Sequence, residues 1–418
     1  MQLYYFLAVI LSLCCGSLPE SARSLPYAIS FSAMLIGTWC CLCLMAARII
    51  ATAIERGEIP TELGCELFDR QSGYLRWLSL GLIVLCLGGF GLASNLGELS
   101  WVKSSLALQS VLLLTPALAV MIGLWAAEYA FDTRIGLREG GAWRFGRHLI
   151  AMFRGTVGWI LAPLLALMIL FDVASVIEVP GWIPGWIGWI AIAMVTLCCV
   201  PLLVRLMLTP QSIPDETHAW LRRLLVSAGE PKIGVMVWNT GGRAHNAMVA
   251  GFVGRFRTLV VSDRLLTDLT RQELAMVILH ELAHVKRWHI PLRILSLVPA
   301  WVLGFTFERW ASMQGDSSMI AGWGSWLGSA LSIGLTIVMM RLVSHRIEHD
   351  ADQYATKLAI KLAPQCQDVP STEEEAAKAL ASALLCVTRD SDAARRSTWL
   401  HPGIRERLDE LGVVSFAS

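Results

Sequence analysis

Long uncharged runs alternate with short arginine-bearing intervals over the first two hundred residues, and beyond residue 210 the pattern becomes that of an ordinary globular domain. A hydrocarbon core about 30 Å thick takes roughly 20 apolar residues of helix. Runs near that size extend from Gln2 to Pro19, Ser24 to Ala47, Trp77 to Gly97 and Ser105 to Ala127, and predict four membrane spans. A fifth covers Thr156 to Phe171. A sixth covers Gly181 to Val204 and opens with Trp182, Trp186 and Trp189, where an interfacial aromatic belt would sit. Two more runs interrupt the polar region: a weaker one, Ile294 to Phe307, between Arg293 and Glu308, and a strong one, Ser317 to Met340. The weaker run fits either a span or a re-entrant helix.

The chain is therefore expected to divide into a membrane domain of six spans (1–209), a first polar half (210–289), two further spans (290–342) and a second polar half (343–418). Within the first half, Asp215 can cap a helix that carries Trp220, Leu221, Leu224 and Leu225 and stops near Gly229. Lys232 to Trp238, His245 to Ala250 and Phe256 to Ser262 read as strands, with a turn at Asn239 to Gly242. The expected fold is mainly α, a polytopic membrane helix bundle with a small α+β domain.

Composition agrees with lipid as the main solvent: 55% of residues are hydrophobic, 16% are charged and the mean hydropathy is +0.57. A net charge of +1 leaves no basic field for a polyanion, so nucleic acid is not an expected partner. The eleven cysteines mostly lie inside apolar runs and form neither a disulfide framework nor the two C-x-x-C pairs of a zinc ribbon. Arginines collect between spans two and three (Arg48, Arg56, Arg70, Arg76) and between four and five (Arg134, Arg138, Arg144, Arg147, Arg154), which sets those intervals and the polar region on the cytoplasmic side. The first span also fits a signal peptide, although it lacks a basic leader.

Thr270 and Glu273 have the spacing of a capping box ahead of the apolar run Leu274 to Leu279, predicting one helix from 271 to about 288. That helix carries His280-Glu281-Leu282-Ala283-His284. Histidines four apart lie on one face and can bind one Zn²⁺, and Glu281 on the adjacent face can act as general base. Candidates for a third ligand are His289, His345, Glu348, His349 and Asp350. His289 follows the motif without the glycine turn that brings a third histidine back to the metal in metzincins, and reads better as a satisfied histidine at the helix end. Glu348 shares a helical face with Asp352, so Glu348 can complete a His₂Glu set while Asp352 holds a liganding histidine by its second nitrogen.

Together with Asn246 to Gly251, Val260 to Leu266, Glu348-x-x-Ala351-Asp352 and His401-Pro402 followed by Arg407, the motif resembles the M48 metallopeptidases, which include HtpX-like and Ste24-type membrane proteases. The resemblance covers about Ile213 to Leu411. It implies a zinc endopeptidase of gluzincin type with one Zn²⁺ per subunit, His280, His284 and Glu348 as ligands, Glu281 as base and Asp352 behind a ligand. It also implies His401 and Arg407 near the oxyanion and the ligands, and Asn246, Ala247, Met248 and Val249 at a substrate-binding sheet edge. Ala283, Met248 and Gly403 depart from the usual residues, and none of them removes a ligand or the base. Substrates are expected to be proteins or peptides at a lipid bilayer, with a bacterial inner membrane and a cytoplasm-facing site as the setting. The alternatives are an M56-type sensor peptidase, against which the Asn246 segment and His401-Pro402 argue, and an inactive membrane scaffold that keeps a zinc fold.

Overall fold

The computed structural model describes residues 2–18, 23–176, 187–188, 190–191, 194–195, 207–208, 210–242, 244–251, 254–314, 319–389 and 395–413. Most of the expected sixth span, 181–204, lies outside them. The chain forms two compact units, Met1–Ala193 with Phe305–Ala330, and Met194–Gly304 with Leu331–Ser418.

The first unit contains α1 (Gln2–Cys14), α2 (Leu25–Glu55), α3 (Thr61–Val84), α4 (Leu92–Glu98), α5 (Ser100–Lys103), α6 (Leu106–Arg134), α7 (Ala142–Gly155) and α8 (Gly158–Val176). Among the described residues, six helical segments of the chain are long and apolar enough to cross a membrane: Leu25–Glu55, Thr61–Gly89, Leu106–Arg134, Gly158–Val176, His289–Ser312 and Trp323–Leu362. The chain is a multi-pass membrane protein. The first predicted span is shorter, 13 residues of α1 and a 3₁₀ turn at Cys15–Ser17.

The third predicted span differs from expectation at both ends. Its helix begins at Thr61, so Arg70 and Arg76 lie on the helix and not in a loop, because the stretch from Glu62 to Arg76 holds no proline and the apolar half stabilises the helix past Gly64 and Gly73. After a π turn at Leu85–Gly89 it ends at Gly91, whose φ of 76° suits glycine, and α4 starts anew. Phe68 stacks on Phe131 at 4.1 Å between ring centroids. Asp172 near the end of α8 accepts hydrogen bonds from Ser105 Oγ (2.6 Å) and from the amides of Leu106 (2.8 Å) and Ala107 (2.9 Å), so its charge sits on the N-terminus of α6.

The second unit holds a four-stranded sheet, β1 (Pro210–Gln211), β2 (Gly234–Trp238), β3 (Ala247–Ala250) and β4 (Thr258–Ser262), in the order β1-β2-β4-β3. β2 and β4 run parallel, while β3 is antiparallel to β4 and forms one edge. The helices are α9 (Asp215–Ser227), α10 (Asp263–Asp268), α11 (Arg271–Lys286), α12 (His289–Leu295), α13 (Val298–Ser312), α14 (Met319–Leu362), α15 (Glu373–Thr388) and α16 (Ile404–Glu410). α13 and α14 run through both units. Asp215 stands in the first turn of α9 and does not cap it; Pro214 holds the cap position. α16 starts at Ile404, with Gly403 at the N-cap position and its amide donating to Glu406 at 3.2 Å.

The core explains why α11 is placed so firmly. Leu274, Ala275, Ile278, Leu279 and Leu282 are buried with Leu259 and Val261 of β4, Leu221 and Leu225 of α9, Ala355 and Ala359 of α14, and Leu380 of α15. Each fully buried leucine or isoleucine contributes about 1.5–3 kcal/mol. The turn before β3 is fixed by Asp263, whose carboxylate accepts from the amides of Thr240 (3.1 Å), Gly242 (3.0 Å) and Arg264 (2.9 Å) and from Thr240 Oγ1.

Burial alone would raise the Asp263 pKa, but these hydrogen bonds outweigh it and hold the pKa below the ordinary carboxylate range. Its stabilisation is therefore full above the unfolded-state pKa of about 3.9 and is lost as pH falls through the lower folded value. Asp263→Ala should cost about 1–3 kcal/mol at neutral pH. Thermal unfolding of wild type and variant should differ by a constant amount between pH 6 and 8, and the two should converge in acid below about pH 4.

Candidate active site

The motif helix α11 starts at a reciprocal cap: Thr270 Oγ1 accepts from the Glu273 amide (3.3 Å), and Glu273 accepts from the Thr270 amide (2.8 Å). Four helical positions bring His280 and His284 over one another, with their Nε2 atoms 3.2 Å apart. Glu348 arrives from α14, its Oε2 at 3.4 Å from His280 Nε2 and its Oε1 at 3.6 Å from His284 Nε2. A tetrahedral zinc with bonds of about 2.0–2.1 Å needs donor separations near 3.3–3.4 Å. The three side chains fit such an ion in spacing and in donor chemistry, and they form a metal-capable group among the described residues. His289, His345, His349 and Asp350 lie outside that group.

Glu348 and Asp352 are each 1% exposed, and basic side chains surround them. His280 Nδ1 lies 2.8 Å from Asp352 Oδ1. Arg407 grips Asp352 with two hydrogen bonds, Nε to Oδ2 at 2.8 Å and a terminal nitrogen to Oδ1 at 2.6 Å, and its other terminal nitrogen lies 3.9 Å from Glu348. Most of the Arg407 guanidinium is thus engaged by Asp352. His401 Nδ1 lies 3.3 Å from Glu348 Oε2. Arg293 donates to Glu348 Oε1 at 2.8 Å. The sequence offered Arg293 only as the border of an apolar run, and its link to a residue 55 positions away is set by tertiary structure.

Burial opposes charge on His280, but Asp352 and Glu348 outweigh burial and raise its pKa to about 10. Burial and the neighbouring charged His280 push His284 down to about 2. A proton thus occupies one imidazole beside two carboxylates, the position for which a divalent cation competes. Glu281 is raised to about 7, first by burial and then by the Glu348 charge.

α11 does not run to 288 as predicted. It ends at Lys286, and Trp288 takes φ 58°, a left-handed conformation that bulky residues rarely adopt. The exposed Trp288 supplies the chain reversal for which no glycine is present, and α12 starts at His289. This reversal carries His289 to the far side of His284, with their Nδ1 atoms 3.0 Å apart, and not into the ligand group.

A cavity of about 350 Å³ opens on this cluster, lined by Asn246, Ala247, His280, Glu281, Glu348, His401 and Arg407. Leu265, Val277, Leu380, Leu384 and Val387 form its apolar wall. Of the four residues expected at the sheet edge, Asn246 and Ala247 face the cavity; Met248 and Val249 continue along β3 away from it. His245, a further lining residue that the sequence reading took only as a strand start, is held by Asp268 at 2.9 Å.

The family model described as Peptidase family M48 matches residues 214–413. Among solved structures, the crystal structure of S. mikatae Ste24p is similar over 94% of this chain and 100% of that one, with 16% sequence identity and a TM-score of 0.43. No curated protein matches the chain.

Removing one partner of a buried ion pair leaves a buried charge uncompensated and costs about 3–5 kcal/mol. Arg407→Met should therefore lower stability by that order in chemical denaturation. The double variant Arg407→Met, Asp352→Asn should recover part of the loss.

Proposed function

We propose that the protein, whose residues 214–413 match the model of peptidase family M48, is a zinc endopeptidase that hydrolyses peptide bonds of membrane or membrane-proximal proteins. The observation that carries this reading is the convergence of His280, His284 and Glu348 at 3.2–3.6 Å on a cavity that Glu281 and the edge strand also border. His280, His284 and Glu348 would hold one Zn²⁺. Bound there, the ion would lower the pKa of water from about 15.7 towards 7 and polarise the scissile carbonyl.

The remaining steps belong to the chain itself. A peptide substrate lies extended beside β3, whose outer edge adds it to the sheet through main-chain hydrogen bonds without much demand on sequence. Glu281 takes the proton from the attacking water and passes it to the departing amine, and its raised pKa suits that exchange near neutral pH. His401, 54% exposed at its side chain and with Nδ1 facing Glu348, is the donor that reaches the developing oxyanion. Arg407 acts mainly through Asp352, which orients His280 so that Nε2 faces the ligand group. The arginines that end α2 and stand on α3, α6 and α7 support a cytoplasmic face for the site, and a bacterial inner membrane is the setting that fits.

Purified protein should cleave an unfolded membrane-protein substrate in a reaction that a chelator stops and Zn²⁺ restores. Glu281→Gln should lose about 10²–10⁴-fold in rate while keeping one Zn²⁺ per chain. Cleavage that persists in that variant overturns the proposed base. Because Glu281 works deprotonated and a bound cation lowers its pKa from about 7, kcat/KM should fall as pH drops, with the acid limb at or below pH 7.

A further inference from the structure

His284 has a partner on its other side that the hydrolytic scheme leaves unused. Its Nδ1 lies 3.0 Å from Nδ1 of His289, and His289 Nε2 lies 2.9 Å from Asp350 Oδ2. Asp350 is gripped in turn by Arg287, Nε to Oδ2 and a terminal nitrogen to Oδ1, both at 2.9 Å. The His289 side chain is only 4% exposed, whereas Asp350 and Arg287 reach solvent.

From this geometry we infer that His289 is a positioning residue for the metal centre: it fixes the tautomer and ring orientation of His284 through a relay that ends on the Asp350–Arg287 pair. The proton pattern allows one consistent arrangement. A neutral His284 that offers Nε2 to a metal carries its proton on Nδ1 and donates it to His289 Nδ1. His289 Nδ1 must then be unprotonated, so its own proton is on Nε2 and is donated to Asp350. Asp350 accepts from both His289 and Arg287, which holds the far end of the chain of bonds in place.

His280 is supported differently, directly by the carboxylate of Asp352. His284 is supported by an imidazole that is itself supported by a carboxylate. The left-handed Trp288 makes the longer relay possible, since without that reversal His289 would continue along α11 and could not return to the ring one turn behind it.

The inference rests on the proposed role of His284 as a ligand, so the test measures metal affinity as well as activity. Full-length protein in detergent is stripped of metal, and its Zn²⁺ dissociation constant is measured by chelator competition, with Co²⁺ absorption as a report on the ligand field. His289→Leu fills the space without a hydrogen-bonding group and should weaken Zn²⁺ binding by about 10–100-fold. It should also shift the Co²⁺ spectrum, which a merely less stable metal-free protein would not do. His289→Asn places an acceptor where Nδ1 was and should retain most of the affinity.

Wild-type affinity in His289→Leu, or equal losses in both variants, overturns the inference. If His289→Leu does not fold, Asp350→Ala decides: it removes the acceptor that fixes the His289 tautomer, so several-fold weaker binding is expected and unchanged binding overturns the relay. Failure of the metal-site reading looks different, because wild type would then bind no stoichiometric Zn²⁺, or His284→Ala would bind it equally well.

Discussion

Two carboxylates one helical turn apart, Glu348 and Asp352, are almost entirely withdrawn from water, and the second unit is arranged around satisfying them. An isolated ionised carboxylate in such a place would cost many kcal/mol. The chain answers with partners from four separate segments: His280 from α11, Arg293 from α12, His401 from the segment before α16, and Arg407 from α16. These groups are spread over more than a hundred residues of sequence. The pair therefore ties the two polar halves together alongside the hydrophobic core, most specifically through the two-point grip of Arg407 on Asp352.

Local chemistry accounts for what could be read from the sequence. The capping box at Thr270 and Glu273, the apolar run behind it and the four-residue spacing of His280 and His284 all act within one helix, where neighbours in sequence are neighbours in space. The same holds for Glu348 with Asp352, and for the three main strands, whose cores fall within the predicted runs. What could not be read depends on long-range geometry. Nothing near Arg293 announces a buried carboxylate 55 positions later. The role of His289 turns on Trp288, a residue type with no left-handed preference, so the reversal is imposed by its surroundings and not by local propensity. In the membrane unit, the apolar run marked only the second half of the third span's helix and could not show that the polar stretch before it continues the same helix from Thr61.

The membrane unit uses related physics at lower density. Asp172 meets the α6 N-terminus with three hydrogen bonds where unpaired amides would otherwise face an apolar environment. Tyr4 and Ser79 share a hydrogen bond of 2.9 Å inside the helix bundle. Polar contacts there are scattered one by one along the helices, whereas the second unit concentrates seven charged or chargeable groups around one cavity. That concentration, and not the motif string alone, distinguishes a centre able to hold a cation from a helix that happens to carry two histidines.

α14 is one unbroken helix of 44 residues, about 66 Å at 1.5 Å per residue. Its uncharged stretch ends at Met340, and Glu348 follows eight positions later on the same rod, about 12 Å along the axis. The height of the centre above the end of that stretch is therefore a fixed count of residues and does not vary with a loop. The rod acts as a ruler: an extended polypeptide covers about 3.3–3.6 Å per residue, so a membrane-anchored chain needs about four residues beyond the apolar boundary to span that height. A shorter stub would end below the centre.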